Sequence, residues 1–274
     1  VVIPVYRNAE NIAPLLERLS ELHARVGGGI EVICVVDGSP DDSYARLASE
    51  LPKQGFASQL LLLSRNFGSF AAIRSGLHEV RTPFCAVMAA DLQEPIELIE
   101  AFFNCLRQDH ADVVVGHRTA RQDALIDRWA SGLFWWSYRR LVQRELPPGG
   151  IDVFACNAAF RAHLLRFSEA HTSLVGQILW LGFRRVALPY VRQAREIGRS
   201  AWTFGRKLKY LSDSVFAFSD LPIRVFTLLG GLGVLLSVVL SCIVLIARLS
   251  GAVNVPGYAA TVLTILFFAG INLL

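Results

Sequence analysis

The chain has 274 residues, of which 53% are hydrophobic, and its mean hydropathy is +0.42. That is enough chain for one large domain and an appendage, and too apolar for an ordinary soluble domain. A net charge of +4 argues weakly for anionic partners and leaves nucleic acid, anionic lipid and phosphorylated substrates all open. The five cysteines, at 34, 85, 105, 156 and 242, are widely spaced among apolar neighbours, and no pair has metal-ligand spacing. They read as buried free thiols in a reducing compartment. The chain opens inside an apolar strand with neither an initiator Met nor a signal peptide, so further N-terminal residues are expected.

Residues 1–120 alternate apolar runs with amphipathic ones. Strands are predicted near 1–6, 30–36, 59–63, 84–90 and 112–116, and helices over 9–25, 41–51, 69–79 and 95–108. Such alternation implies a mostly parallel sheet with helices on both faces. No Gly-x-Gly-x-x-Gly and no Gly-x4-Gly-Lys-Ser/Thr follows any strand, which argues against dinucleotide oxidoreductases and P-loop NTPases. No internal repeat or low-complexity tract is visible.

Two later segments carry aromatics beside basic residues. Leu125–Leu146 holds Trp129, Trp135, Trp136 and Tyr138 with Arg128, Arg139, Arg140 and Arg144. Trp202–Phe218 holds Arg206, Lys207 and Lys209. Either can be an interfacial helix at the headgroup layer or an amphipathic helix packed on the sheet. Charge is then absent for 23 residues, Val225–Ala247, a length that spans a bilayer core as a helix. Residues 250–257 read as a turn. Tyr258–Leu274 is a second uncharged run of 17 residues, expected to continue beyond this chain. Lys and Arg crowd the side before the first span, while the connecting loop holds only Arg248, so the charge bias puts residues 1–224 in the cytoplasm.

The chemistry gathers where strands end. The first ends in Pro4-Val5-Tyr6-Arg7-Asn8, the second in Val35-Val36-Asp37-Gly38-Ser39-Pro40-Asp41, and the third in Arg65-Asn66-Phe67-Gly68. The fourth ends in Ala89-Ala90-Asp91-Leu92-Gln93-Glu94-Pro95. Ligands of open α/β sheets bind outside such carboxyl ends. Tyr6 could flank a base, Asp37 could accept from a base N–H or a ribose hydroxyl, and Asp91 sits where a cation could bridge a pyrophosphate. Taken singly, Asp91 could equally cap the helix after Pro95, and Asp41 or Ser43 could cap another.

As a set, these motifs resemble family 2 glycosyltransferases of the GT-A fold. Also in the set are Gly116-His117-Arg118, Arg195-Glu196-Ile197-Gly198-Arg199-Ser200 and the apolar hairpin. Within that family the chain is similar to polyprenyl-phosphate glycosyltransferases, which include dolichol-phosphate mannose synthases and bacterial undecaprenyl-phosphate glucosyltransferases. The resemblance implies a GT-A Rossmann-like, mostly parallel α/β sheet over 1–198, an interfacial segment over 199–224 and a transmembrane hairpin over 225–274. It implies that Pro4, Tyr6, Asn8, Val35, Asp37 and Ala90 lie along the nucleotide sugar. Asp91 and Gln93 would hold a divalent cation, Mg2+ or Mn2+. Arg118 and Arg195 would contact phosphate, and Asp152 would act near the acceptor. Ser200, Arg206 and Lys207 would face the acceptor phosphate, although Arg206 and Lys207 can equally snorkel to lipid headgroups. The pattern is departed from at Ala89, which replaces the first Asp of the family's Asp-x-Asp motif. It is departed from again at Asn8 and Ala201, and in Gly150-Ile151-Asp152-Val153-Phe154, which lacks the usual Arg.

The implied reaction is inverting transfer of a sugar from a UDP- or GDP-sugar to undecaprenyl phosphate. It would occur at the bacterial inner membrane, on a multi-pass protein that forms homo-oligomers and has no nucleic-acid partner. The attacking phosphate is already largely anionic at neutral pH, so a strong general base is less necessary than for a hydroxyl. Three alternatives stay open: a catalytically degenerate membrane module, a transferase acting on another acceptor, and a processive polysaccharide synthase. The last should carry a Gln-x-x-Arg-Trp motif, which is not found in this chain.

Overall fold

A computed structural model describes residues 1–120, 150–169, 173–193, 204–251 and 257–273. The chain forms two compact units, Val1–Ala217 and Phe218–Leu274. In the first, β1 (Val2–Val5), β2 (Glu31–Val36), β3 (Ala57–Leu62), β4 (Phe84–Val87), β5 (Val113–Ala120), β6 (Val153–Asn157) and β7 (Arg185–Val191) make one sheet. Its order is β3-β2-β1-β4-β6-β5-β7. Only β6 runs against the others, pairing antiparallel with both β4 and β5.

Each central strand is buried on both faces, so its residues sort by parity. From β2, Val32, Cys34 and Val36 enter one core layer and Ile33 and Val35 the other. The first layer is closed by α1 (Ile12–Arg25), α2 (Ser43–Glu50) and α4 (Ile96–Arg107). The stripe Ile12, Leu15, Leu16, Leu19 and Leu22 of α1 has helical spacing and is buried throughout. The second layer is closed by α3 (Ser69–Glu79), α5 (Ala158–Leu164) and α6 (Leu174–Trp180). The eight β1–β4 and α1–α4 elements lie where the hydrophobic periodicity predicts them. Two boundaries moved: β4 stops at Val87 rather than residue 90, and β5 extends to Ala120 along β7.

Strand order reverses at β1. Successive strands β2 and β3 step outward on one side, and β4 starts the other, so the β1/β4 seam is the sheet's switch point. Around it the chain accepts unusual backbone. Arg7 (φ 54°), just after β1, and Leu92 (φ 59°), after β4, both have left-handed conformations. Side chains other than glycine adopt these at a cost of about 1 kcal/mol or more. Gly38 also has positive φ (53°), and a Cβ there would lie 2.3 Å from the backbone carbon of Arg65. The loops after β2 and β3 touch at that point. Gly38→Ala is therefore expected to cost about 2 kcal/mol or more. A lowered melting temperature of the detergent-solubilised protein would show it.

In the second unit, α8 (Leu221–Leu249) has 29 residues and a mean hydropathy of 2.7 over its most apolar stretch. At about 1.5 Å per residue it is about 44 Å long, more than the ~30 Å of a bilayer core. It is long and apolar enough to cross a membrane. Helix α9 (Tyr258–Leu273) packs against it, and the Ser237 hydroxyl donates to the carbonyl of Leu266. Before them, α7 (Phe204–Phe218) is a helix where residues 202–218 were predicted to form one. The other predicted interfacial helix, 125–146, lies outside the described residues. Cys34, Cys85 and Cys156 are buried as expected, Cys105 is half-buried, and Cys242 on α8 is exposed.

Candidate active site

One side of the seam is built by loops sewn to one another. Asp37 is almost fully buried; its Oδ1 accepts from the Phe67 amide and its Oδ2 from the Gly68 amide, both at 2.8 Å. One carboxylate thus fixes the turn into α3, and each oxygen keeps a lone pair for a ligand. Asp41 precedes the N-cap of α2, Asp42, and bonds the first helical amide as well as the neighbouring loop. It ties the β2 loop to the β1 loop, accepting from the Ala9 amide at 3.0 Å, the Ser39 hydroxyl at 2.5 Å and the Ser43 amide at 3.3 Å. Burial alone would raise its pKa, but these hydrogen bonds outweigh burial and hold it below the usual carboxylate range. The Asn8 amide donates to Ser43 Oγ at 3.3 Å, and the Arg7 amide to Ser39 Oγ at 2.8 Å. The half-buried Tyr6 ring has the Arg7 guanidinium 5.4 Å from its centre. Pro4 pairs in register with Val35, whose side chain is wholly buried beneath the sheet, leaving Val35 only backbone to offer a ligand. Ala90 is buried too.

Across the seam lies the β4 tip. The N-cap of α4 is Pro95, with no side-chain capping bond, so Asp91 is not its cap. Asp91 Oδ1 instead faces the Gln93 amide at 3.4 Å, and its Oδ2 lies 3.8 Å from Arg192 Nη2. Gln93 joins this loop to the end of β7. Its Nε2 donates to the Gln193 carbonyl at 3.1 Å, its own carbonyl accepts from the Gln193 amide at 3.0 Å, and Arg192 donates to its Oε1. Glu94 is buried, and its Oε2 has no hydrogen-bond partner. Burial first, then the negative charge of Asp91, pushes the Glu94 carboxyl up to about 7.

Arg118 and Asp152 form the third group. The guanidinium grips the carboxylate through both Nε and Nη2, the second contact at 2.6 Å, while the Tyr190 hydroxyl donates to Asp152 Oδ2 at 2.9 Å. This is a forked pair between β5 and the residue just before β6, closed by Tyr190 of β7, the register partner of Arg118. Burial opposes the charge on Arg118, but Asp152 more than offsets it, so the guanidinium pKa is raised. Burial, then the charges of Asp152 and Glu94, drive the Tyr190 phenol upward, so it stays a donor.

Asp91 and Gln93 stand after β4 as the strand-end pattern predicts, and Arg118 and Asp152, assigned through the resemblance, pair with each other. Sequence reasoning gave no role to Glu94, Tyr190 or Arg192. Glu94 stood in the quoted tip motif, and an acid next to a predicted strand tip was the available signal. Arg195 and Ser200 lie outside the described residues. Arg206 and Lys207 fall on α7.

Among the described residues no three Asp, Glu, His or Cys side chains converge as a ready-made metal cage. The acids present are Asp91 and, three residues on, the buried Glu94, whose Oε2 has no hydrogen-bond partner. Both polar ends of the Gln93 side chain are engaged. Hard cations such as Mg2+ often take only one or two carboxylates and complete their shell with substrate phosphates. The set fits a cation of that kind, arriving with a diphosphate.

The family model "Glycosyl transferase family 2" matches residues 1–167. The chain belongs to that family. This family 2 transferase is 30% identical over 278 residues to the undecaprenyl-phosphate 4-deoxy-4-formamido-L-arabinose transferase of Pseudomonas aeruginosa, covering 100% of this chain and 81% of that protein. It is 28% identical over 275 residues to glycosyltransferase sll0501 of Synechocystis sp., itself uncharacterized, covering 100% of this chain and 86% of that one. Among solved structures it resembles glucosyl-3-phosphoglycerate synthase from Mycobacterium tuberculosis in complex with Mn2+, UDP and glucosyl-3-phosphoglycerate. There the TM-score is 0.52 at 18% identity, over 79% of this chain and 76% of that one. It also resembles S. aureus TarS 1-349 in complex with UDP-GlcNAc, with a TM-score of 0.50 at 16% identity, over 74% of this chain and 60% of that one. At these identities the likeness is one of fold: the family 2 transferase has a GT-A-like α/β sheet, followed by a long apolar helix and a short one.

One consequence follows from the buried Glu94. Its folded pKa of about 7 lies above the ordinary 4.5, so the stability it contributes is complete below about pH 4.5 and is lost as pH rises through about 7. The penalty at high pH is on the order of 3 kcal/mol. Glu94→Gln cannot ionise, so its melting temperature is expected to gain on the parent's between pH 5 and pH 8. A constant difference across that range would count against a strained Glu94.

Proposed function

We propose that this family 2 transferase moves a sugar, with inversion, from a UDP- or GDP-sugar to a polyprenyl phosphate such as undecaprenyl phosphate. The observation that carries the reading is Asp91 just past the end of β4, at the switch-point seam, beside Gln93 and Arg192. The names of the full-length relatives support the lipid-phosphate acceptor, and α8, able to cross a bilayer, supports a membrane-borne one. Residues 1–198 would be the catalytic domain at the cytoplasmic face of the bacterial inner membrane and 199–224 an interfacial segment. Residues 225–274 would form a hairpin spanning the membrane at about 225–247 and 258–274.

In this reading Tyr6, Asp37 and the backbone of Pro4, Asn8, Val35 and Ala90 hold the nucleoside. Asp91, with Gln93 beside it, would hold a divalent cation, which when bound supplies positive charge to the diphosphate leaving group. Arg118 contacts phosphate through the donors that Asp152 leaves open. Asp152, occupied by Arg118 and Tyr190, orients that guanidinium rather than taking a proton. Arg195, Ser200, Arg206 and Lys207 are assigned to the acceptor phosphate. The acceptor oxygen is an anion at neutral pH, so the protein's task is to bring two polyanions together and to orient them.

The deciding experiment incubates the purified full-length protein in detergent, with Mg2+ or Mn2+, undecaprenyl phosphate and a panel of UDP- and GDP-sugars. One donor is expected to yield a sugar-phosphate lipid detectable by mass spectrometry. If no donor does so, the enzymatic reading fails.

A further inference from the structure

The cation reading of Asp91 leaves Arg192 without a role. Its guanidinium nevertheless lies 3.8 Å from Asp91 Oδ2 and donates to Gln93 Oε1. It is not there by a chance rotamer. The two rungs between Gln93 and Gln193, the residue after Arg192, lock the end of β7 to the β4 tip. Both charges are largely withdrawn from solvent, with side-chain exposures of 26% for Arg192 and 12% for Asp91, so water screens them less than a surface pair. Resting on the proposed cation site, we infer that Arg192 is the resident counter-ion of Asp91, occupying its carboxylate until a cation and a diphosphate arrive together.

The missing acid at position 89 makes this exchange decisive. Ala89 leaves Asp91 as the one acid of the usual pair. A divalent cation arriving alone must displace the Arg192 guanidinium from the Asp91 carboxylate and leave it with only the neutral Gln93 Oε1 as a partner. A cation arriving with a diphosphate avoids both costs. Its remaining coordination comes from phosphate oxygens, and another phosphate oxygen offers Arg192 a new forked partner. Cation and nucleotide should therefore bind synergistically, with little binding of the bare ion. A pocket lined by a pair of acids would not need this.

The test is Mn2+ binding, followed by the EPR signal of the free ion, to the full chain in detergent, with and without UDP or GDP. The parent protein is expected to bind Mn2+ alone weakly and far more tightly with nucleotide. Arg192→Met is expected to bind Mn2+ alone about tenfold more tightly, and to lose a like factor of the nucleotide's synergy. Arg192→Lys, which keeps the charge, should restore weak binding of the bare ion. A merely structural role for Arg192 moves the readout the other way, because a loosened β4–β7 junction weakens Mn2+ binding with or without nucleotide. Unchanged or weaker binding of Mn2+ alone in Arg192→Met overturns the inference. Asp91→Asn keeps the two hypotheses apart. If it binds Mn2+ and nucleotide as the parent does, the cation reading of Asp91 itself falls. If it loses them while Arg192→Met shows no gain, only the counter-ion role falls.

Discussion

Asp91→Asn is expected to reduce sugar transfer about a thousandfold or more in kcat/KM, on the order of 4 kcal/mol of transition-state stabilisation. The substitution is nearly isosteric, and Asn Oδ1 can still face the Gln93 amide as the carboxylate does at 3.4 Å. The loop geometry should survive, so a normal melting temperature would accompany the loss. Raising Mn2+ should not restore activity. Retention of full transfer in an initial-rate assay would remove Asp91 from the chemistry and return it to a loop-forming acid.

The second large effect is expected at Arg118. Arg118→Ala should lower kcat/KM about 10²–10³-fold, or about 3–4 kcal/mol, because it deletes a cation beside the departing diphosphate and leaves Asp152 held by Tyr190 alone. Asp152→Asn separates the two possible roles of the acid. An acid that takes a proton would make this variant as inactive as one lacking Arg118. An acid that aims Arg118 leaves Asn able to accept one of the two guanidinium contacts, so a milder loss of about tenfold is expected. The double variant should then be little worse than Arg118→Ala, since Asp152 has nothing left to aim. Additive losses in the steady-state assay would mean that Asp152 acts on substrate independently.

The difference between what the chain's pattern discloses and what needed three dimensions falls at residue 120. Before it, each strand is followed by its own amphipathic helix, and both periodicities lie in contiguous residues, so β1–β4 and α1–α4 are legible locally. After it, the elements depend on distant partners. Strand β7 carries Pro189, which argues against a strand, yet it lies at the sheet edge, where a missing N–H is tolerated. Strand β6 is a five-residue insertion that reverses direction between β4 and β5. The site divides in the same way. Asp91 and Asp37 are legible because acids end apolar runs. Arg192 and Tyr190 acquire their meaning from contacts 99 and 38 residues away in sequence, made through β7. The cap reading of Asp91 failed for a similar reason: it acts on its own loop and on Arg192 rather than on α4. Asp41 does bond the first amide of α2, and also ties in the β1 loop.

The stapling of the strand-tip loops by Asp37 and Asp41 bears on how a donor is captured. Ordering a backbone residue costs roughly 1–2 kcal/mol. Here the turns at residues 37–43 and 64–68 are ordered by the buried Asp37 and half-buried Asp41 carboxylates during folding, before any nucleotide is present. Donor association should then be close to a rigid encounter, with a small entropy penalty and kinetics governed by diffusion and charge rather than by loop closure. It also means that Asp37 acts in two processes at once. A variant there will change the folding equilibrium and the binding equilibrium together, and only the ratio of the two effects measures its direct contact with the donor.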